Sequence, residues 1–532
     1  MLSGNISRTS VCQLAQGDSV RRQKNPRMSS YPARALFVLL WSALAIGCTT
    51  LQPPDLPQEG TPAPAQTRFW TELAAASPGD WYVLLNDGPG ALDWRLRAID
   101  SATDSIELQT FLWSFDTSGA WILDHLVAAA DRGIAIRLLI DDTFLLSQDS
   151  ALLALHRHPN IQYRIFNPYK RRADGFTTRQ ILNLAEFHRL DHRMHNKAMV
   201  IDNRVAIIGG RNLADEYFGL HAGANFRDIE LIAGGSIVQD ISRSFDDYWN
   251  DRWSIPIDLL SQLEPATPDP ESLRQIRDAS VHIHREETAK VRAMKWRQLV
   301  ASAANGHGQL FADLPPDRDL GKGLYAPTRL ANELIALFDA AREEILIASA
   351  YLIPTPALEG AVERAVARGV RVRILTNSVR SNNHLTAHSA YRNHVHQLLH
   401  DGADLHEVQI DARDRGLYMI TPIGQKTLAL HAKAMAIDRD KVFVGSANLD
   451  PRSLRINTEM ALLVESEELN TQLREALMRD FSPANAWHLQ LDEGGGVVWV
   501  SDRKTLTTQP TAGFMQLIED WFFALLPLED EL

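Results

Sequence analysis

The sequence predicts an α/β chain built twice over. Each half is expected to be a mixed, largely parallel sheet flanked by helices, with the two halves packed around one active site. Three observations predict this. HNKAMVID at 195–202 recurs as HAKAMAID at 431–438. The surrounding units keep the same register, since Arg132-Gly133 and Arg368-Gly369 are separated by 236 residues (132 to 368), as are His195 and His431 (195 to 431). In both halves an apolar run of strand character is followed by a helical pattern and then a second strand, the β-α-β order of a parallel sheet. Such a long period means a duplicated domain, not a solenoid.

The elements follow in chain order. A chain of 532 residues exceeds one typical domain. Residues 1–48 read as a signal segment. ALFVLLWSALAIGC, from Ala35 to Cys48, is apolar for about a dozen residues, too short for a spanning helix, and ends in small residues. Cys48 resembles the lipidated cysteine of a bacterial lipobox, although Leu44 and Ala45 depart from the common pattern. Met28 begins a more ordinary signal than Met1. Cys12 and Cys48 are the only cysteines, which excludes a disulfide framework or a thiolate metal site in the body. Residues 49–66 carry Pro53, Pro54, Pro57, Pro62 and Pro64 and read as an extended tether.

The N-terminal half is expected over 67–255. SIELQTFLW (105–113) is a strand, Trp121, Leu123, Leu126 and Ala129 mark a helix, and RGIAIRLLIDD (132–142) is the next strand. Residues 256–325 form a connector with a helix near Glu286–Ala304. The C-terminal half, 326–490, repeats the order with EEILIASAYLIP (343–354), a helix from Ala357 to Arg368, and RGVRVRILTNS (368–378). The tail, 491–532, places Phe514, Leu517, Ile518, Trp521, Phe522 and Leu525 at helical spacing, an amphipathic helix for the core or a membrane surface. The net charge of −12 argues against a nucleic-acid partner.

The chemistry sits in the repeated motif. The first copy is His195-x-Lys197, then Asp202, then Gly209-Gly210-x-Asn212; the second is His431-x-Lys433, Asp438, Gly445-Ser446-x-Asn448. Residues two apart on a strand share a face, so each copy offers an imidazole and a fixed positive charge to one point. Asp202 and Asp438, at an odd offset, face away and are read as structural. Two copies around one cavity suit phosphoryl transfer. Lysines and amides hold phosphate oxygens, one imidazole attacks phosphorus, and the other moves the leaving and accepting protons. No metal or other cofactor is needed, because the lysines supply the charge. Glu459, 28 residues after His431, and Asp228, 33 residues after His195, are the carboxylates expected to orient the imidazoles. A lone HxK would be weak evidence, but a matched pair is specific. The basic cluster Lys170, Arg171, Arg172, Arg179, Arg189 and Arg193 is read either as a headgroup or phosphate site or as a solvated loop. His384, His388, His394, His396 and His400 are read as a polar helix face rather than a metal site.

These paired motifs resemble the phospholipase D superfamily over about residues 70–490. HRLDHRMHNKAMVID, GGRN, FRDIEL, LHAKAMAID, GSANLDPRS and NTEM are similar to bacterial cardiolipin synthases of the C type. The resemblance implies transfer of a phosphatidyl group to phosphatidylglycerol through a phosphohistidine. By family role His195 is the nucleophile and His431 the general acid and base, although the two are interchangeable on sequence alone. Gly210, where the second copy has Ser446, departs from the pattern and leaves Ser446 as the one hydroxyl supporting the phosphate. Implied partners are phospholipids (phosphatidylglycerol, with phosphatidylethanolamine as a second donor) and the membrane. The implied location is a periplasm-facing lipoprotein of the cell envelope. The alternative is a phospholipase D-type hydrolase acting on lipid or, less in keeping with the charge, on nucleic acid.

Overall fold

Helix ends explain the repeated Arg-Gly pairs. The helices Thr117–Asp131 and Pro356–Ala367 both stop at an arginine followed by a glycine in the left-handed region, Gly133 (φ 94°) and Gly369 (φ 87°). A glycine adopts that conformation without strain and turns the chain into the next strand. The structure is a computed structural model that describes residues 50–146, 148–173, 175–260, 287–316, 327–382 and 385–511. The expected signal segment with Cys48, the amphipathic helix Phe514–Leu525, His384 and parts of the connector lie outside the described residues.

The first half supplies β1 (Trp81–Leu85), β2 (Ser105–Thr110), β3 (Ala135–Asp141), β4 (Ile161–Phe166), β5 (Ala198–Ile201), β6 (Val205–Gly209), β7 (Ala224–Arg227), β8 (Glu230–Gly234) and β9 (Ser254–Pro256). The connector supplies β10 (Ala304–Asn305) and β11 (His307–Ala312). The second half supplies β12 (Glu344–Ser349), β13 (Arg371–Asn377), β14 (Asp404–Val408), β15 (Thr427–Leu430), β16 (Lys433–Ile437), β17 (Lys441–Gly445) and β18 (Met460–Glu465). β19 (Ala486–Leu491), β20 (Val497–Val500) and β21 (Thr505–Leu506) follow. A nine-stranded sheet runs β10-β1-β8-β6-β5-β2-β3-β4-β9, and a ten-stranded sheet runs β11-β18-β17-β16-β12-β13-β14-β19-β20-β21.

The sheets are mixed, as expected, but not largely parallel. Only β2-β3-β4 and β12-β13-β14 run parallel; every other pairing within the two large sheets is antiparallel. The cause is local. A helical crossover returns a strand parallel, whereas the motif strands β5–β6 and β16–β17 are joined by tight turns that can only form hairpins. Asp202 (φ 56°) and Asn203 (φ 49°) make the first of these turns.

Two outer cores bury helices against the far face of each sheet, and a third is shared. The shared core joins Val200, Ile208 and Leu231 of the first half to Leu346, Val442 and Leu462 of the second, with the helices Ile237–Trp249 and Glu467–Asp480 completing it. The connector is more than a linker, because β10 extends the first sheet and β11 the second. β20 and β21 extend the second sheet past residue 490.

The Pro-rich stretch is not a free tether over its described length. Ala65 donates its N–H to the Asp202 carbonyl (3.0 Å), Asn203 donates to the Pro62 carbonyl (2.7 Å), and Glu59 pairs with Arg164 (2.6 Å). A proline-rich strand makes no hydrogen bonds of its own, so the domain's backbone and side chains satisfy it.

Candidate active site

Backbone pairing between the halves assembles the site. β7 and β15 form a two-stranded parallel sheet in which Arg227 lies opposite Leu430, so Asp228 and His431 emerge side by side. On the other side Met194 bridges Thr458, with His195 donating its N–H to the Thr458 carbonyl (2.9 Å), so His195 and Glu459 emerge together. The side chains follow this register. His195 Nδ1 lies 2.9 Å from both carboxylate oxygens of Glu459, and His431 Nδ1 lies 2.7 Å from Asp228 Oδ2. Each half therefore orients the other half's histidine. The carboxylates fix the tautomer and leave each Nε2 for chemistry.

His195 and Lys197 lie just before β5, and Lys433 opens β16, so the motif is the extended lead-in to a strand rather than its middle. Lys197 Nζ donates to the His195 carbonyl (2.7 Å), and Lys433 Nζ to the His431 carbonyl. All four side chains are buried. Burial pushes the His195 imidazole down to about 4, with Glu459 opposing and Lys197 adding to the shift. Burial, with Lys433 beside it, takes His431 down to about 3 against the pull of Asp228. Burial lowers Lys197 to about 7, with Glu459 opposing and the like charge of Lys433 reinforcing, and lowers Lys433 to about 8. Burial alone would raise Glu459 and Asp228, but the adjoining imidazoles and lysines outweigh it and hold both below the ordinary carboxylate range. The resting site thus has neutral imidazoles and ionised carboxylates beside lysines poised near neutrality. An arriving phosphate anion favours the protonated forms of both lysines and imidazoles.

Ser446 does not face a phosphate. Its hydroxyl donates to Glu459 Oε2 and accepts from the Met460 N–H (3.0 Å), so it steadies the carboxylate that orients His195. Gly210 is forced by the same geometry. A Cβ there would lie 2.3 Å from Asp228 Oδ1, which accepts from the Ile229 N–H (2.7 Å). The Gly/Ser difference between the copies therefore matches the Asp/Glu difference. A serine accompanies the longer acid, and a glycine makes room for the shorter one.

Asn212 donates from Nδ2 to the Tyr217 hydroxyl (2.8 Å), and the Asn448 backbone N–H donates to Ser453 Oγ (3.2 Å). The Oδ1 atoms of both asparagines are buried without a protein partner. The motif aspartates lie elsewhere. Asp202 accepts from the backbone N–H groups of Thr103 (2.7 Å), Asp104 (2.8 Å) and Ser105 (2.8 Å) and from Trp70 Nε1 (2.5 Å). Asp438 accepts from Arg342 (3.1 Å), Glu343 (2.8 Å) and Glu344 (3.2 Å). Both clamp the turn that enters the central strand of their sheet.

For four of its six members the basic cluster is neither of the two things expected. Arg172 and Arg179 are tied to Asp142, Arg172 also to Asp149, Arg193 to Asp141 and Arg189 to Glu186. These arginines serve as internal ties. Of the five histidines, His388 is buried and His394 bonds Glu359 (2.7 Å), so the row is not simply a polar face. A different cluster forms on β14 and β19, where the Nε2 atoms of His406 and His488 both bond Asp404 Oδ1 (2.9 and 3.0 Å) and Arg373 holds Oδ2.

Sequence reasoning missed several supports. Phe111 packs edge-on to His195 (4.9 Å), and Tyr217 (4.9 Å) and Phe226 (5.2 Å) enclose His431. Arg211 and Arg227 donate to the Asp228 carbonyl, and Asp313 accepts the Glu459 N–H (3.1 Å). Arg211 and Arg227 stand inside the quoted GGRN and FRD strings, a signal that could have found them. Asp313 lies in the connector, where nothing repeats.

A family model described as "Cardiolipin synthase, PLD-like domain" matches residues 96–249 and 334–481. Cardiolipin synthase C of Escherichia coli (strain K12) is 32% identical over 454 residues, covering 82% of this chain and 92% of its own. The cardiolipin synthase of Alkalihalophilus pseudofirmus is 24% identical over 410 residues, covering 77% of this chain and 67% of its own. Among solved structures, the phosphatidylserine synthase of Haemophilus influenzae Rd KW20 shares the fold, with a TM-score of 0.52 and 14% identity over 80% of this chain and 91% of that one.

Proposed function

Because the chain belongs to the cardiolipin synthase, phospholipase D-like family, we propose that it is the phosphatidyltransferase that joins two phosphatidylglycerol molecules into cardiolipin and releases glycerol. The crossed pairing of His195 with Glu459 and His431 with Asp228 carries this reading. It supplies two oriented imidazoles, and a double displacement at phosphorus needs two.

In the first step His195 Nε2 attacks phosphorus and the bond to the glycerol oxygen breaks. The departing oxygen takes its proton from His431 Nε2, which takes one up from solvent as the anionic substrate binds beside it. Negative charge on the phosphate oxygens is held by Lys197 and Lys433, whose ammonium forms the anionic substrate favours. Asn212 turns so that Tyr217 donates to its Oδ1, which frees Nδ2 to donate to the phosphate; Asn448 serves the other side. In the second step the neutral His431 removes the proton from a hydroxyl of the second phosphatidylglycerol. That oxygen attacks phosphorus and His195 leaves unchanged. Glu459 and Asp228 stabilise whichever imidazole is positive.

Phosphatidylethanolamine offers the same phosphodiester and is a second donor on this reading. No helix among the described residues is long and apolar enough to cross a membrane. The sequence before Thr50 supports anchoring through Cys48 in a cell envelope, with the body facing the periplasm. The test is purified protein with labelled phosphatidylglycerol. The reading expects labelled cardiolipin and free glycerol. Phosphatidic acid as the sole product at every acceptor concentration would make the protein a hydrolase.

A further inference from the structure

The segment 176–187 is amphipathic the wrong way round. A helix on a soluble protein buries its apolar side and exposes its polar side. Here Arg179, Asn183 and Glu186 are buried, while Phe176, Ile181, Leu182, Leu184 and Phe187 are between 39 and 62% exposed. The polar residues hold the segment down. Arg179 donates to the Ala173 carbonyl (2.9 Å), Asn183 Nδ2 donates to the Arg171 carbonyl (3.0 Å), and Glu186 pairs with Arg189 (2.9 Å). So the apolar side chains are presented outward on a fixed base. Contiguous exposed apolar surface of this kind marks a binding site.

Three further observations identify the occupant. A row of rings runs from this surface into the active site. Phe176 stacks on Phe144 (6.4 Å), Phe144 meets Phe111 edge-on (5.4 Å), and Phe111 meets His195 (4.9 Å). The surface carries no exposed carboxylate from 175 to 188, in a protein of net charge −12. Finally, the chain that follows the apolar run at 35–48 meets this segment at Glu186 and the residue Lys170 just before it. The Thr50 carbonyl accepts from Lys170 Nζ (3.2 Å), and the Leu51 N–H donates to Glu186 Oε1 (3.1 Å).

We propose that residues 176–187 form the surface through which the protein enters the headgroup region of a phospholipid bilayer, with Phe144 and Phe111 leading the lipid to His195. The occupant is an anionic lipid surface rather than a protein groove. A lipid bilayer takes up exposed apolar side chains without a complementary shape, and the lack of an exposed carboxylate over 175–188 suits its charge. This inference rests on the phosphatidyltransferase reading for the identity of the lipid, but its test does not need turnover.

The test is hydrogen exchange of the full chain with and without phosphatidylglycerol vesicles, alongside the double variant Ile181→Glu/Leu184→Glu. Peptides spanning 176–187 gain protection with vesicles, while the helix Glu467–Asp480 does not. In the variant, the ratio of turnover on vesicles to turnover on detergent-dispersed short-chain phosphatidylglycerol falls by about tenfold or more, since two apolar anchors are exchanged for charges. Unchanged exchange at 176–187 overturns the proposal. So does protection that depends on protein concentration rather than lipid, which would make the face a contact between copies. Protection without any cardiolipin formation would leave the surface standing and remove the phosphatidyltransferase reading instead.

Discussion

A single missing methylene separates the two histidine supports, and it sets the first expectation. Gly210→Ser would copy the second motif into the first, yet its Cβ would land on Asp228. The change should lower turnover by about a hundredfold, because loss of a histidine's hydrogen-bonded partner typically has effects of 10–100-fold. Ser446→Gly, which only loosens Glu459, should lower it by about tenfold. Steady-state kinetics of the two variants checks the asymmetry. The lysines set a second expectation. They must be charged to hold phosphate, so kcat/KM falls as pH rises through about 7 to 8, where Lys197 and Lys433 release their protons. The nucleophile must be neutral, so kcat/KM also falls as pH drops through about 4, where His195 gains one. Arginine stays charged throughout. Lys197→Arg, at lower activity, should therefore move the alkaline limb upward in a pH profile.

The hairpin β5–β6 illustrates what one element contributes. Asp202 ties the turn of this hairpin to three backbone N–H groups of the turn entering β2. Removing the carboxylate strands two buried donors, the Ser105 N–H and Trp70 Nε1, each worth about 1–3 kcal/mol, while the Thr103 and Asp104 N–H groups reach water. Asp202→Ala should therefore lose at least about 2 kcal/mol in denaturant unfolding, while the protein that remains folded keeps most of its turnover. At this scale the sequence was largely legible. Periodicity and the repeated Arg-Gly stops located β2, β3, β12 and β13 to within a few residues, and the odd offset of Asp202 marked it as structural. It failed where neighbours decide. The parallel bias of the sheets was overestimated because hairpin geometry lies in the turn at 202–203, not in the apolar pattern. The arginines before the first motif looked free because the acids that hold them, Asp141, Asp142 and Asp149, lie a strand away.

The fold as a whole makes the two halves depend on each other. Each half is catalytically incomplete, since its histidine is oriented by a carboxylate from the other. The duplication and the two acids were visible in the sequence. The crossing was not, because it depends on β7 pairing with β15 and Met194 with Thr458, and sequence distance suggests the opposite partnership. The crossing has a kinetic signature. Glu459→Gln and His195→Ala damage one unit, so the double variant should be no slower than His195→Ala alone. Asp228→Asn disables the other histidine and should instead show non-additivity with His431→Ala.

The central claim is that one histidine attacks phosphorus while the other only moves protons. The direct measurement uses a nitrophenyl phosphodiester analogue of the lipid donor, whose leaving group departs without a proton. With His431→Ala, the account predicts a burst of about one nitrophenolate per enzyme and a phosphatidyl adduct on the His195 peptide after alkaline quench. His195→Ala should give neither. A burst in His195→Ala with the adduct on His431, or no burst in either variant, would contradict it.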